Sequence, residues 1–225
     1  MPMDPKPVIR VVSDVVCPWC YVGKRRLENA LDLIGRKDIA VQWTAFQLNP
    51  NAPPQGWKRR EYRAAKFGSA EVSARLEARV AEAGTQEGID FHFDRIEKTP
   101  NTFDAHRLIW LAGREGVQDA VVEKLFRAYF IDGQNVGDRA VLRAVAIESG
   151  LDFTQVNGLF ASDLGVAEVT RDEEEARTEG VSGVPTFYLN GEALTSGAHP
   201  AQLLAGMLAP ALGAGTCSLD SLNCG

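Results

Sequence analysis

The sequence has no apolar run that approaches the roughly 20 residues needed for a membrane-spanning helix. Its first residues, Met1 to Lys6, lack the apolar core of a signal peptide, so we expect a cytoplasmic protein with no membrane partner. Positive charge is also in short supply. The 24 lysines and arginines against 30 aspartates and glutamates give a net charge of -6, which argues against a nucleic-acid partner. A glycine-rich phosphate-binding loop and a serine nucleophile with a nearby base are missing as well.

Cysteine is scarce too, and the four cysteines form two close pairs, Cys17 with Cys20 and Cys217 with Cys224. Because cytoplasmic thiols are mostly kept reduced, these pairs suit redox chemistry better than a structural disulfide framework. The remaining composition, 45% hydrophobic and 24% charged, is ordinary for a protein with a sizeable core.

The first cysteine pair lies between a predicted strand and a predicted helix. Residues 7–12 are apolar and rich in valine, and residues 21–34 carry apolar side chains at helical spacing. Cys17 therefore falls at the first turn of a helix, where unpaired N–H groups and the helix dipole favour a thiolate. Pro18 suits this helix start because its missing N–H leaves no bond unmade. We predict that Cys17 is the nucleophile and that Cys20 resolves the mixed disulfide.

Other interpretations of this pair are a structural disulfide, half of a zinc site, and coincidence. The strand before the pair and the helix after it favour the redox interpretation. A second segment favours it again: Gly183-Val184-Pro185-Thr186 follows a glycine-rich turn, and its proline opens an apolar strand.

With these motifs the chain resembles the thioredoxin superfamily, in which a strand opened by a cis-proline faces the CxxC. The closer resemblance is to the DsbA-like group that includes FrnE-type oxidoreductases and 2-hydroxychromene-2-carboxylate isomerases. It spans roughly residues 7 to 210, and the residues that carry it are Ser13-Asp14-Val15-Val16-Cys17-Pro18-Trp19-Cys20, Asn101-Thr102 with Ala105-His106-Arg107, and Gly183-Val184-Pro185-Thr186.

The resemblance implies an α/β thioredoxin fold with a large helical insertion. We expect residues 1–52 and 152–213 to form a discontinuous thioredoxin-like domain, residues 53–151 to form the insertion, and residues 214–225 to form a flexible tail. The order of strand, helix, strand, helical block, helix, hairpin and helix agrees with this division.

Inside the expected insertion the sequence predicts mostly helices. A helix is expected from Trp57 to Phe67, because this segment is rich in strong helix formers. A short extended piece is expected from Ile89 to Phe93. Asn190-Gly191 is the strongest short hairpin signal in the chain and predicts two antiparallel strands around it.

The resemblance also implies roles for residues around the cysteines. Pro185 would belong to the catalytic site, and the backbone of Val184 would pair with an extended substrate chain. In DsbA a histidine at the position of Trp19 helps to stabilise the thiolate. The neutral indole of Trp19 would contact substrate and would give a less oxidising disulfide, as in a reductase or isomerase.

Three further residues are candidates for lesser roles. Asp14 would modulate the thiol and assist proton transfer if it lies near the sulfur, or would merely cap a strand end. Asn101 and His106 belong to a segment that in the resembled group lies near the glutathione or substrate pocket. We keep Asn101 as a ligand contact and His106 as a modulator, although a lone histidine in an apolar helix is more often a core residue.

The second cysteine pair has three open interpretations. Cys217 and Cys224 would form a mobile second redox pair that exchanges with the first, or close a simple tail disulfide, or bind zinc together with Cys17 and Cys20. The spacing of six residues exceeds that of a zinc knuckle, and we expect no metal.

The sequence therefore predicts a thiol–disulfide oxidoreductase acting on disulfide-containing proteins or small-molecule disulfides. The alternative is a glutathione-dependent isomerase or kappa-type glutathione transferase, but such proteins typically replace the active cysteine by serine. A binding or chaperone module does not explain the CxxC. We expect no bound cofactor, with glutathione as a candidate co-substrate, and a homodimer as a candidate assembly.

Overall fold

The structure of the protein is a computed structural model that describes residues 6–36 and 38–212. The tail, residues 214–225, and the predicted redox pair of Cys217 and Cys224 lie outside the described residues. Within the described part of the chain, no helix is long and apolar enough to cross a membrane.

Strands and helices follow one another in the order expected for a thioredoxin fold with helices inserted after the second strand. The chain contains a turn of 3-10 helix, Phe93–Arg95. The other elements are β1 (Val8–Ser13), α1 (Pro18–Leu33), β2 (Ala40–Ala45), β3 (Trp57–Lys58), α2 (Arg59–Phe67), α3 (Ala70–Gln86), β4 (Lys98–Thr99), α4 (Phe103–Arg114), α5 (Gln118–Phe130), α6 (Arg139–Glu148), α7 (Phe153–Ala161), α8 (Val166–Thr178), β5 (Thr186–Leu189), β6 (Glu192–Ser196) and α9 (Ala201–Ala211).

The main sheet has four strands in the order β2-β1-β5-β6. Strand β1 runs parallel to β2, with α1 as the crossover between them, and antiparallel to β5. Val11 of β1 lies between Trp43 of β2 and Phe187 of β5, and it has no exposed surface. The apolar first strand is thus the centre of the sheet, and the residues after it enter the cysteine loop.

The predicted hairpin joins β5 to β6. Asn190 and Gly191 both have positive φ angles, 51° and 88°, which the tight turns of two-residue hairpins require. The side chain of Asn190 also accepts a hydrogen bond from the N–H of Val8 over 3.0 Å. This bond fastens the turn to the start of β1, so the hairpin and the central strand are held in register.

The helix predicted from Trp57 to Phe67 begins two residues later, at Arg59. The two residues before it form β3 and pair with β4 instead. Gly56 permits the close approach, because a Cβ atom at this position would lie 2.7 Å from the carbonyl oxygen of Thr99. A two-residue strand has no periodicity of its own, so the sequence pattern could not separate it from the helix.

The prediction of a short extended segment from Ile89 to Phe93 is wrong. Residues 89–92 have no regular structure, and the 3-10 helix starts at Phe93. The rings of Phe91 and Phe93 stack at 4.9 Å between centroids, and both meet the ring of Phe130 edge-on. Aromatic packing against α5 therefore decides the course of this segment, rather than strand pairing.

The larger of two hydrophobic clusters among the described residues joins the sheet to the helices of the insertion. Helices α4, α5 and α8 pack against β2, while α1 packs against α9. The ring of Tyr21 in α1 stacks on that of Phe126 in α5 at 5.0 Å, and Trp43 of β2 meets Phe126 edge-on at 6.3 Å. Such pairs add about 0.5–1.5 kcal/mol each beyond burial, so α1 is fixed from both sides.

Candidate active site

Cys17 is the N-cap residue of α1, and Pro18 is the first helical residue. Its extended backbone, with φ -93° and ψ 110°, places its side chain where serine or aspartate accepts an N–H bond in other helices. The loop is closed by backbone bonds of 3.0 Å from Cys17 N to Asp14 O and from Cys20 N to Cys17 O. The sulfur of Cys17 therefore lies at the positive end of the helix dipole.

The Cys17 sulfur faces the start of β5. Its thiol donates to the carbonyl oxygen of Val184 over 3.4 Å, and the Val184–Pro185 peptide bond is cis. Gly23 of α1 lies against the proline, because a Cβ atom on Gly23 would be 2.8 Å from Cγ of Pro185. The structure thus brings Cys17, Val184 and Pro185 together at one end of α1.

Cys20 lies beneath the first cysteine. It has no exposed surface, whereas Cys17 keeps 5% of its surface exposed, and both are free thiols. Burial raises the pKa of the Cys20 thiol well above its ordinary value, and the neighbouring Cys17 raises it further. Cys20 is therefore held as a protonated thiol, while Cys17 keeps a small accessible surface.

Asp14 is buried between the loops that flank the cysteines. One carboxylate oxygen accepts from the N–H of Leu48 over 2.8 Å, and the other from the N–H of Val16 over 3.4 Å. Nε2 of His106 lies 3.5 Å from the second oxygen, which is an ion-pair distance rather than a hydrogen bond. The side chains of Asp14 and His106 are 0% and 2% exposed, so the two candidate modulators form one buried pair.

Asn101 has its polar groups engaged within the fold. Its amide nitrogen donates to the carbonyl of Ala52 over 2.8 Å, and its side-chain oxygen accepts from the N–H of Phe103 over 2.9 Å. It lines a different cavity from the one that contains Cys17. The structure therefore does not bring Asn101 together with the cysteine site.

Arg107, in the same segment, holds the connection between α7 and α8. Its guanidinium donates to the carbonyls of Leu159, Ser162 and Leu164 over 2.5 to 2.9 Å and pairs with Asp104. Arg107 is 3% exposed. It binds backbone acceptors with the fork of N–H groups that arginine offers.

A cavity of about 460 Å³ opens beside the cysteine loop. Cys17 and Trp19 line one side of it, and side chains of α2 and α3 line the other. Trp19 is 37% exposed, which leaves part of its indole free at the cavity edge. The structure thus brings Trp19 to the same opening as the nucleophile candidate.

The opposite wall consists of residues that the sequence reasoning did not single out. Arg59, Tyr62, Arg63 and Lys66 follow the spacing i, i+3, i+4 and i+7, so they share one face of α2. This spacing is the sequence signal that could have identified the wall, because a helix face made of basic and aromatic residues differs from the apolar face of a core helix. Nothing in the sequence, however, shows that this face turns toward Cys17.

Comparison with known proteins agrees with the observed fold. The model of the DSBA-like thioredoxin domain family matches residues 8–209. A probable DsbA oxidoreductase from Streptomyces coelicolor is 33% identical, with a TM-score of 0.84 over 92% of this chain and 90% of that one. The uncharacterized protein YwbO of Bacillus subtilis is 27% identical over 194 residues, which are 84% of this chain and 90% of YwbO.

Two more distant structures share the fold. The cytosolic disulfide reductase DsbM of Pseudomonas aeruginosa with GSH has a TM-score of 0.62 at 16% identity, over 91% of this chain and 98% of DsbM. A 2-hydroxychromene-2-carboxylate isomerase has a TM-score of 0.66 at 18% identity, over 92% and 94% of the two chains. With its thioredoxin sheet, its cysteine loop and a family match along nearly its whole length, this chain belongs to the DsbA-like thioredoxin domain family.

Proposed function

We propose that this protein is a FrnE-type thiol–disulfide oxidoreductase that works as a disulfide reductase or isomerase in the cytoplasm. The observation that carries the proposal is the contact of 3.4 Å between the Cys17 thiol and the carbonyl of Val184, next to Pro185. It joins a sulfur at a helix start to backbone groups at the start of a strand. A substrate disulfide at this point meets both a nucleophile and a partner for its main chain.

In the proposed reaction the Cys17 thiolate attacks one sulfur of the substrate disulfide. The substrate S–S bond breaks, the departing sulfur takes a proton from solvent, and a mixed disulfide remains on Cys17. Cys20 then loses its proton and attacks the Cys17 sulfur. The second substrate thiol leaves, two electrons have passed to the substrate, and an external dithiol later reduces the Cys17–Cys20 disulfide.

The surroundings of the pair support this division of roles. Cys17 lines the cavity and lies at the helix N-terminus, whereas Cys20 is fully buried and has a raised pKa. A thiol held in its protonated form does not compete for the substrate. The neutral Trp19 between them adds no positive charge to stabilise a thiolate, which supports reduction or isomerisation over strong oxidation.

The test is reduction of insulin disulfides with dithiothreitol as the electron donor. We expect Cys17→Ser to lose at least about a hundredfold in rate, because the reaction then has no nucleophile. When pre-reduced Cys20→Ser is mixed with insulin after dithiothreitol has been removed, it is expected to trap a mixed disulfide with the substrate, which mass spectrometry detects and which added dithiothreitol cleaves. If Cys17→Ser keeps most of its activity, the proposal is wrong.

Two controls separate the alternatives. Cys217→Ser combined with Cys224→Ser shows whether the second pair contributes, and unchanged turnover with every donor tried would limit it to a structural role. A glutathione-conjugation assay on the wild type and on Cys17→Ser tests the isomerase or transferase alternative. Conjugation that persists without Cys17 would favour that alternative over the oxidoreductase.

A further inference from the structure

The cavity beside Cys17 is positively charged, although the whole chain carries a net charge of -6. Among the described residues that line it, the acidic side chain is Glu77 and the basic ones are Arg59, Arg63, Lys66 and Arg79. The formal net charge of the residues that line the cavity is therefore +3, from four basic side chains and one acidic side chain.

The buried Arg59 and the half-buried Arg63 share a single carboxylate. Oε1 of Glu77 lies 2.7 Å from Nη2 of Arg59 and 2.8 Å from Nε of Arg63. Burial lowers the pKa of Arg63, and repulsion by Arg59 lowers it further. One carboxylate between two guanidinium groups leaves an excess of positive charge, which a second anion in the cavity would balance.

The remaining two cations of the cavity have no carboxylate partner among the described residues. Lys66 donates to the hydroxyl of Tyr62 over 2.7 Å and to Oδ1 of Asn49 over 3.4 Å, and neither Lys66 nor Arg79 forms an ion pair with a described carboxylate. Both are exposed in the part of the chain that the structure describes. An anionic group could bind them without displacing a protein carboxylate, which lowers the desolvation cost of binding.

Aromatic side chains line the same cavity as these cations and the cysteine. The guanidinium of Arg63 lies over the ring of Phe67 at 4.7 Å, and that of Arg59 over the ring of Phe93 at 5.3 Å. Tyr62 also faces the cavity. Its volume of about 460 Å³ falls in the range of small-molecule sites, which are mostly apolar with a few polar groups that fix orientation.

We propose that this cavity selects small disulfides in which a flat aromatic body carries a negatively charged group. The sulfur would lie at Cys17, the ring against Phe67 and Tyr62, and the anion at Lys66 and the arginines. The inference rests on the proposed function, because it names the substrate class of the same cysteine. In the step, the Cys17 thiolate bonds to one aryl sulfur, the aryl S–S bond breaks, and an aryl thiolate leaves.

The experiment compares two aromatic disulfides of opposite electrostatic character with the reduced protein. Dithiobis(nitrobenzoate) is anionic, dithiodipyridine is neutral, and both release a coloured thiol. Each rate is divided by the rate of the same disulfide with free dithiothreitol, which removes the difference in intrinsic reactivity. We expect the normalised rate to favour the anionic disulfide by about tenfold or more, and added salt to lower that preference.

A matched pair of variants in α2 and one variant in α3 locate the effect. Lys66→Gln is expected to lower the preference for the anionic disulfide by about threefold to tenfold, as for loss of one charge near the ligand. Arg79→Gln offers a second removal of charge if the first variant is unstable. Arg60→Gln is the control, because Arg60 is an exposed cation of α2 that does not line the cavity. It should leave the preference unchanged.

The outcomes separate the inference from the proposed function. Equal normalised rates, or a preference that Lys66→Gln and Arg79→Gln both leave intact, would overturn the charge selection while Cys17-dependent insulin reduction still supports the oxidoreductase. Glutathione disulfide, an anionic but non-aromatic probe, would overturn the aromatic part if its normalised rate were higher than that of dithiobis(nitrobenzoate). If Cys17→Ser reacts with every disulfide as fast as the wild type, the proposed function itself fails.

Discussion

Gly23 and Pro185 meet so closely that a Cβ atom on the glycine would lie 2.8 Å from Cγ of the proline. The same atom would lie 3.4 Å from the ring of Phe187. The backbone of α1 at Gly23 therefore lies directly against the side chains of Pro185 and Phe187. Because Cys17 is the N-cap of α1 and Val184 precedes Pro185, this contact fixes how far the sulfur lies from the Val184 carbonyl.

Gly23→Ala is expected to push α1 away from the proline. Overpacking of this kind typically lowers the free energy of unfolding by about 1–3 kcal/mol. Urea unfolding measures the loss, and insulin reduction per folded molecule should fall with it, because the Cys17–Val184 contact lengthens. The control is Gly206→Ala in α9, where a Cβ atom has no neighbour within 4 Å. This substitution should raise stability by up to about 1 kcal/mol, and equal effects of the two would contradict the argument.

The pH dependence of the resolving step follows from the pKa of Cys20. Burial, the largest cause of the raised pKa, persists when Cys17 is in a mixed disulfide. Only the thiolate attacks, and below the raised pKa its fraction grows tenfold for each unit of pH. A preformed glutathione mixed disulfide on Cys17 should therefore resolve about tenfold faster per unit between roughly pH 6 and pH 8. Stopped-flow release of glutathione tests this, and a rate independent of pH would show that Cys20 is already ionised.

Asp14 and His106 should behave as an energetically coupled pair. Asp14→Asn places an amide N–H2 where the carboxylate accepts a backbone N–H, so we expect a loss of about 1–3 kcal/mol in unfolding free energy. Residues in contact typically show coupling energies of about 0.5–3 kcal/mol in double-mutant cycles. We expect a value in this range for Asp14→Asn combined with His106→Gln, measured by urea unfolding.

A second cycle provides the comparison for that pair. His199 bonds within its own turn, with Nε2 at 3.0 Å from the carbonyl of Ser196. Asp14→Asn combined with His199→Gln should give losses that add within about 0.5 kcal/mol. Additive losses in the His106 cycle as well would mean that the proximity of 3.5 Å between Asp14 and His106 has no energetic consequence.

Arg107→Lys should destabilise the protein although it keeps the charge. A lysine cannot reproduce the fork that binds three carbonyls. Leaving a buried acceptor such as the Leu159 carbonyl unpaired costs about 1–3 kcal/mol. We expect a loss of at least about 2 kcal/mol in urea unfolding. Arg143→Lys is the matched control. In the described part of the chain Arg143 makes one hydrogen bond, to Asn157 over 2.8 Å, and its guanidinium lies over the ring of Phe160 at 5.3 Å. A loss for Arg107→Lys as small as that of the control would contradict the structural role.

The sequence predicts well those features that depend on neighbours along the chain. The strand before Cys17, the helix from Pro18 and the turn at Asn190-Gly191 each follow from a local pattern, and the structure has them. The confirmed fold class follows from their order together with the family motifs. The predicted helix start at Trp57 is wrong because it depends on a distant segment: Trp57 and Lys58 form β3 only through their pairing with β4.

The geometry of the site depends on contacts between distant segments. Asp14 and His106 were singled out separately, but no pattern in the sequence says that a loop after β1 and the side of α4 meet. The cavity wall was missed for the same reason, since the orientation of α2 depends on pairs such as Arg59 with Glu77. Asn101 shows the converse case. The family motif predicts a ligand contact for it, but its side chain forms hydrogen bonds within the fold instead.

The complete burial of Cys20 has a consequence for oxidative damage. We expect a peroxide that enters the opening to meet one sulfur and to convert Cys17 to a sulfenic acid. The Cys20 thiol beneath would then condense with it, forming the internal disulfide and releasing water. Oxidation to the irreversible sulfinic acid requires a second peroxide to reach Cys17 before this condensation occurs. We therefore expect the buried thiol to keep peroxide damage at Cys17 reversible.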